Sequence, residues 1–443
     1  MLVCRQKSKM RFKSVVFLFF VFMDKFHGLI GAVIILGIAF LFSNNRKAIN
    51  YRLVVSGILL QSIIAVLVLR IPPITAFFQQ LGHAMEKIEE FARAGASFAY
   101  GGIAVSQFDG TIGNYVNGGF VFAFNVTATI ILVCVLVAIL YHIKVMQRIV
   151  SIIAKGMNFV MRVSGAEALS NVASAFVGQV EAQVMIRPYL ASMTKSELLA
   201  SMSGSLACIA GGILVVYVNM GAAAGLDLAP KLIAASLMAA PGALVISKIL
   251  FPETEESQTM GNVKLEVKSP YVNIIDAISH GASDGFKIAM NVIAMLIGFI
   301  ALVTMVDWIL VHIAHIFDPN LDLSLNRIFG WIFYPLAWAM GVPAQDVSGV
   351  ATLLGQKLTI NEFVAFKSLA SKSVPIVTEK GLLIVSIAIC GFANFASVGM
   401  QIGGIGELAP SRRTDLAKLG MKALLAGTLA SYLSATLAGI ILG

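Results

Sequence analysis

Charge is what this 443-residue chain has least of: Asp, Glu, Lys and Arg make up 12% of it, against 58% hydrophobic residues and a mean hydropathy of +0.87. Soluble domains carry about a quarter charged residues, so a soluble globular chain is excluded and a polytopic membrane protein remains. Cysteine is scarce as well. Cys4, Cys134, Cys208 and Cys390 lie far apart with no CxxC, which excludes a disulfide framework and a structural zinc site. His312 and His315, three apart at the end of an apolar run, read as interfacial residues rather than a metal pair. There is no HExxH, no Walker loop and no Gly-x-Ser-x-Gly, so intramembrane hydrolase or transferase chemistry finds no support. The net charge of +9 makes no case for nucleic acid, because Arg5, Lys7, Lys9, Arg11 and Lys13 supply five of those charges and the rest suits cytoplasmic loops.

What is present is a series of apolar spans. Residues 1–22 end in the apolar run Val15–Phe22, too short to cross about 30 Å of hydrocarbon. No small-residue cleavage site follows, so a translation start at Met23 is expected, and residues 1–28 read as an N-terminal extension that need not belong to the native protein. Spans follow at Leu29–Phe42, Leu53–Leu69 and Phe120–Tyr141. Between the second and third, the acid-rich stretch from Arg70 to Asn117 is expected to include a helix lying along the membrane surface. His142–Leu169, with Lys144, Arg148, Lys155 and Arg162 against apolar residues, reads as an amphipathic interfacial helix. Further spans are expected at Leu198–Val218, Leu232–Phe251, Ile288–Val311, Leu382–Ile402 and Leu416–Leu442, with a mixed-charge linker at Glu253–Lys268. Basic loops after spans one and three, and the Arg412-Arg413-Lys418-Lys422 cluster, are expected to face the cytoplasm.

Two stretches break this pattern. Gly165–Gly212 places Gln179 and Glu181 among apolar residues, and Pro188 then cuts the run short; Ile328–Leu369 is interrupted by Pro335, Pro343, Gln345, Asp346, Lys357 and Glu362. A carboxylate at bilayer depth is costly, so each glutamate is expected to meet either a partner, Arg187 or Lys367, or a water-filled cavity. The order "broken region, span, span" occurs twice, at 171–251 and 328–442, as in transporters built from inverted repeats with re-entrant hairpins. Irregular backbone at depth is tolerated where it lines a cavity. Asn394 and Ser397 share a helix face within the glycine-loosened run Ile389–Gly404. They serve either interhelical packing or, with Glu181 and Glu362, a neutral polyhydroxyl solute with an amide-like edge.

Ordered motifs then carry a family resemblance. Ser43–Ile49 (SNNRKAI), Gly118–Asn125 (GGFVFAFN), Phe176–Glu181, Met193-Thr194 with Ser196-Glu197-Leu198, Met238–Gly242 with Pro252–Glu255, Asn361–Ala365, and Cys390–Asn394 continuing to Leu408-Ala409-Pro410 with Arg412-Arg413 resemble the concentrative nucleoside transporters, which are cation-coupled nucleoside symporters. The resemblance implies an all-α polytopic membrane protein of eight transmembrane helices plus two re-entrant helical hairpins, an inverted repeat, assembled as a homotrimer in the plasma (cell inner) membrane. It divides the chain into 29–170 and 252–327 as scaffold parts and 171–251 and 328–443 as the two repeats of a moving transport domain. Gln179 and Glu181 are implied as nucleobase contacts, Ile213 as an apolar contact beside the base, Glu362, Asn394 and Ser397 as ribose contacts, and Phe392 as pocket lining. The partners implied are a nucleoside and the bilayer, with no cofactor beyond a coupling ion, H+ or Na+.

The coupling cation would lie among Ser174, Val177, Cys208 and Ile209. Here the chain departs from the pattern: Ser174 stands in place of an asparagine ligand, Cys208 in place of a hydroxyl and Val180 in place of a threonine or serine. Sodium prefers hard oxygen ligands and a thiol is a poor one, so a proton is favoured over sodium, carried by Glu181 or Glu362. Transport of a free nucleobase or another polar solute is the alternative, and a membrane-embedded enzyme or receptor the remote one.

Overall fold

The computed structural model describes residues 27–100, 122–260, 271–318, 321 and 323–442. The expected extension at 1–22 and its Met23 start lie outside the described residues, as do Gly118–Val121 of the third-span motif and residues 261–268 of the linker. The described residues form helices and connecting turns. In chain order these are α1 (His27–Leu41), α2 (Tyr51–Arg70), α3 (Pro72–Tyr100), α4 (Phe122–His142), α5 (Val145–Met161), α6 (Gly165–Ser174), α7 (Glu181–Val184), α8 (Arg187–Leu190) and α9 (Lys195–Ala207). They continue with α10 (Gly211–Ala223), α11 (Ala229–Leu250), α12 (Ile274–Phe317), α13 (Leu325–Ala339), α14 (Val347–Thr359), α15 (Glu362–Ala370), α16 (Glu379–Ile389), α17 (Phe395–Leu408) and α18 (Arg413–Leu442).

Five stretches among the described residues are long and apolar enough to cross a bilayer: α2, Lys195–Ala223, α11, Ile300–Phe317 within α12, and Pro410–Leu442. Their burial separates two roles. Of the most apolar stretch, 94% is buried by protein in α11 and 83% in Pro410–Leu442, but only 6% in Ile300–Phe317. α11 and α18 therefore form the interior of the bundle, packed on each other and on α9 and α16, while the end of α12 presents its side chains outward. On that part of α12, the Nδ1 of His312 lies 2.8 Å from the Trp308 carbonyl one turn back.

Three spans differ from expectation. The stretch expected as one span at Leu198–Val218 is two helices, α9 and α10, separated at 208–210, and Leu382–Ile402 is likewise α16 and α17, separated at 390–394. The span expected at Ile288–Val311 is part of the 44-residue α12, about 66 Å long at 1.5 Å per residue. It lies against α4 over a long contact, which Gly281 and Gly285 permit: a Cβ on either would stand 2.8 Å from Val135 Cα or 2.7 Å from Ile131 Cα. The expected interfacial helix ends earlier than Leu169. α5 is bent 76° from α4 and stops at Met161, with Arg162 in the left-handed region at φ 54.

A new helix then starts, because Ser164 and Glu167 form a reciprocal capping box that satisfies the first free N–H groups of α6. Thr194 and Glu197 do the same for α9. At the base of α6 and α11, Lys248 Nζ lies buried 2.8 Å from Glu167 Oε2 and 3.4 Å from Glu253 Oε2, and donates to Ser196 Oγ at 3.0 Å. This joins the hairpin, α9, α11 and the start of the linker. Lys248→Met would strand two carboxylates beside a buried face, and is expected to lower stability by roughly 3 kcal/mol. The thermal unfolding midpoint of the purified protein checks it; an unchanged midpoint would show that the cluster contributes no stability.

The element order repeats further than the sequence pattern indicated. A long helix, a following helix, a short helix, a turn, a second short arm, a helix broken in two and a full-length helix run from α4 to α11, and again from α12 to α18.

Candidate functional site

Corresponding positions of the two runs of helices, α4–α11 and α12–α18, come together around one cavity. Glu181 and Glu362 are each the first residue of the second hairpin arm, α7 and α15, where backbone N–H groups lack helical acceptors and favour a carboxylate. Cys208 and Cys390 each follow the first half of a broken helix, and Ala210 and Asn394 each precede the second half. The broken segments cross: Phe392 N–H donates to the Cys208 carbonyl at 3.3 Å, and Gly211 N–H to the Phe176 carbonyl in the hairpin tip at 3.2 Å. The backbone groups freed by unwinding thus find partners in each other, so broken helices are tolerated at this depth.

Around this crossing lies a cavity of about 210 Å³. The seven residues expected to contact solute all line it: Gln179, Glu181 and Ile213 from the first repeat, and Glu362, Phe392, Asn394 and Ser397 from the second. On the second side the polar groups form one network. Glu362 accepts from Asn394 Nδ2 at 3.0 Å and from the Tyr217 hydroxyl at 3.2 Å, while Asn394 caps α17 by accepting from Ser397 N–H at 2.8 Å. An ionised carboxylate offers about four acceptor positions, so Tyr217 and Asn394 do not saturate it. The Ser397 hydroxyl is buried without a hydrogen-bond partner among the described residues, a group left for something in the cavity.

On the first side, Glu181 is exposed to the cavity. Its carboxylate folds back over Gly178 and receives the backbone N–H groups of Val180 and of Glu181 itself. Gln179 is held by Gln401 Nε2, 3.4 Å from its Oε1, and by Met400, whose sulfur is 4.0 Å from its Nε2. Among the described residues neither glutamate pairs with the basic partner considered for it: Arg187 and Lys367 are both exposed, and Glu362 is met by Tyr217 and Asn394.

Sequence reasoning did not single out Tyr217 or Met400. Tyr217 sits four residues after Ile213 and so shares its helix face, which is the signal that points to it. Its ring stacks on Phe366 with centroids 4.3 Å apart, and this aims the hydroxyl at Glu362. The cavity continues into a second one of about 340 Å³ through shared walls at Ile130, Val177, Glu181, Ala210, Ile213 and Ile288. That second space runs between the C-terminal end of α4 and the N-terminal part of α12, past Tyr141, Tyr271 and Asp284.

The residues expected to hold a cation are arranged differently. Ser174 Oγ donates to the Ser170 carbonyl at 2.7 Å and lies 2.8 Å from Ser205 Oγ, which accepts from Gln183 Nε2 at 2.9 Å; Gln183 Oε1 in turn accepts from Ser201 at 2.6 Å. Each hydroxyl has one proton, so Ser205 donates to Ser174 and one lone pair of Ser174 is left. The Cys208 thiol is directed at other groups, the carbonyls of Asn171 at 3.8 Å and Ser236 at 4.0 Å. Val177 lines the cavity and Ile209 is fully buried. The two side chains of the set are thus engaged within the protein, one of them by a soft sulfur atom, which suits sodium poorly.

Comparison with known proteins places these features in context. Residues 30–103 match the model described as "Na+ dependent nucleoside transporter N-terminus", 231–439 the one for "Na+ dependent nucleoside transporter C-terminus", and 123–224 one described as "Nucleoside recognition". The chain is 36% identical over 418 residues to the nucleoside permease NupC of Helicobacter pylori, covering 94% of this chain and 97% of that one. It is 35% identical over 427 residues to sodium/nucleoside cotransporter 1 of Rattus norvegicus, covering 93% of this chain and 63% of that longer protein. Among solved structures, CNTnw in an inward-facing substrate-bound state superposes with a TM-score of 0.85 at 39% identity, covering 94% of this chain and 99% of that one.

Proposed function

The chain belongs to the concentrative nucleoside transporter family, and from that premise we propose that it is a symporter importing nucleosides, coupled to a proton, across the plasma (cell inner) membrane. The observation that carries this reading is the placement of two chemically different sets on opposite sides of one 210 Å³ cavity: Gln179 and Glu181 on the first-repeat side, and Glu362, Asn394 and Ser397 on the other. An amide beside a carboxylate matches the donor and acceptor edge of a nucleobase, and the second set, with its vacant acceptor positions and free hydroxyl, matches ribose hydroxyls. Ile213 and Phe392 supply apolar walls for a planar ring. Without ribose the second set would stay unpaired at a cost, which favours a nucleoside over a free base.

Movement of the two repeats as one transport domain against a scaffold, in a homotrimer, completes the proposal. Eight crossings are accommodated if α1, α4 and the α16–α17 pair each traverse the bilayer beside the five apolar stretches. Purified protein in liposomes tests the solute class: uridine accumulates, and ribosides compete while free bases do not. Competition by free bases equal to that by ribosides would instead assign a nucleobase transporter.

The proton is favoured over sodium because Cys208 offers a soft sulfur, turned to backbone carbonyls, and Ser174, shared between Ser170 and Ser205, keeps a single lone pair. Uridine uptake is expected to accelerate under an acid-outside pH gradient and to be indifferent to a sodium gradient at fixed pH. Ser174→Asn combined with Cys208→Ser, which exchanges the hydroxyl for a longer amide and the thiol for a hydroxyl oxygen, is expected to introduce sodium dependence. Wild-type uptake driven by sodium at fixed pH and indifferent to pH would overturn the proton assignment and leave the solute assignment intact.

A further inference from the structure

The tip of the first hairpin carries Gln179 and Glu181, yet it has little structure of its own to hold them. α7 is one turn of four residues, and an isolated turn is not stable by itself. Two side chains of the tip bond to other elements. Gln179 does so at long range, to Gln401 Nε2 at 3.4 Å and Met400 Sδ at 4.0 Å. Gln183 does so closely: its Oε1 accepts from Ser201 at 2.6 Å and its Nε2 donates to Ser205 at 2.9 Å, so one amide spans two successive turns of α9. Ser205 continues to Ser174, 2.8 Å away, and Ser174 donates to the Ser170 carbonyl of α6 at 2.7 Å. Gln183 and the four serines are all buried, where such bonds are strong and a missing partner is costly.

The direction of this chain is fixed by its end. The Ser170 carbonyl can only accept, so Ser174 gives it its one proton. Ser205 must then donate to Ser174 and receive an N–H from Gln183, which leaves the amide oxygen for Ser201. Position 183 therefore needs a donor toward Ser205 and an acceptor toward Ser201, which an amide supplies and a carboxylate does not. Residues two apart on a helix point about 200° away from each other, so Gln183 is anchored in the protein while Glu181 faces the cavity. We propose that Gln183 is a positioning residue for solute binding, an amide that ties the hairpin tip to α9 and, through Ser205, to α6, and so presents Gln179 and Glu181 to the solute. The inference rests on the reading of those two side chains as contacts for a nucleobase.

The test is equilibrium binding of uridine, 3-methyluridine and 3′-deoxyuridine to the purified full chain in detergent, without an ion gradient. The first analogue lacks the donor on the base edge, the second one ribose hydroxyl, and wild-type protein is expected to prefer uridine to both. Gln183→Met, of similar size, removes both bonds and is expected to bind uridine about tenfold more weakly, as a tip in its binding shape about a tenth of the time would. The preference over 3-methyluridine narrows and that over 3′-deoxyuridine stays, because the tip carries only the base contacts. Should methionine not fold, Ser205→Ala, which removes one anchor on α9, is expected to narrow the same base preference. Gln183→Glu supplies the signature: a protonated acid donates to Ser205 and accepts from Ser201, and a carboxylate cannot. Its uridine affinity is expected to be near that of wild type at about pH 5 and to fall behind as the pH rises to about 9, each compared at the same pH. A glutamine that merely fills space would weaken all three ligands equally and give Gln183→Glu a constant ratio to wild type. Either outcome, or wild-type binding in Gln183→Met, overturns the inference and leaves the base contacts standing. Wild-type protein that binds no uridine, or binds 3-methyluridine equally well, overturns the base-contact reading and the inference with it.

Discussion

Glutamine in place of Glu362 is expected to reduce nucleoside uptake at least about 100-fold, because about two charge-assisted hydrogen bonds to the solute, each roughly 1.5–3 kcal/mol, become neutral or are lost. The substitution changes more than charge. Glu362 accepts from both Asn394 and Tyr217, and an amide would place its own NH2 against one of these two donors. The amide can keep Asn394 as a donor to its oxygen only by turning its NH2 to the Tyr217 hydroxyl, which must then accept rather than donate, and one of the acceptor positions open to solute is lost. The fold itself is expected to survive, since α15 is capped by the Asn361 side chain, which accepts from Val364 N–H at 2.9 Å. Initial rates in liposomes, compared at equal amounts of protein with an unchanged thermal midpoint, check the expectation. Near-normal uptake would remove Glu362 from the solute site.

Alanine at Gly391 is expected to abolish both transport and stable folding. Gly391 has φ 139, a conformation that L side chains rarely adopt, and a Cβ there would stand 2.4 Å from the Ala207 carbonyl oxygen and 3.0 Å from its carbon. The obstacle is backbone, and it cannot retreat, because the adjoining Phe392 N–H to Cys208 carbonyl hydrogen bond holds the two broken helices together at that point. Strain and clash together are expected to cost about 3 kcal/mol or more, concentrated at the crossing that shapes the cavity. Gly399 is the control. It lies in α17 with no positive φ, and a methyl group added there would meet nothing within 4 Å, so Gly399→Ala is expected to be neutral or stabilising by about 1 kcal/mol. Yield of folded protein, thermal midpoint and uridine uptake for the two variants side by side decide the matter. A folded, active Gly391→Ala would show that the crossing tolerates rearrangement.

Much of the fold was legible in the order of apolar runs, because lipid demands long stretches of hydrocarbon side chains and helices that satisfy their own backbone. The starts of α6 and α9 carry capping-box spacing, Ser164 with Glu167 and Thr194 with Glu197, yet the helix expected over His142–Leu169 ran through the first of them, because the apolar pattern continues across the break. The interruption at 208–210 was not legible. Cys208-Ile209-Ala210 contains no proline, and its unwinding is stabilised by hydrogen bonds to Phe392 and Phe176, residues far away in the chain. The interruption at 390–394 was partly visible through its glycine.

The candidate site divides in the same way. Gln179, Glu181, Glu362, Asn394 and Ser397 stood out because a polar side chain in an apolar run is costly and needs a reason. Tyr217 did not stand out, because tyrosine is at home in apolar segments, and Lys357 stood out only as one of the interruptions of Ile328–Leu369. Only packing against Phe366 aims Tyr217 at Glu362, and only the fold buries Lys357 beside the Tyr432 ring. Gly165–Gly212 and Ile328–Leu369 were by themselves determined to hold something other than lipid-facing helix, since the desolvation of a carboxylate is a property of the residue and its neighbours in sequence. What those residues face was decided by the tertiary structure alone, because the crossing of two broken helices brings Glu181 and Glu362 to opposite sides of one cavity and commits Ser174 and Cys208 to other partners.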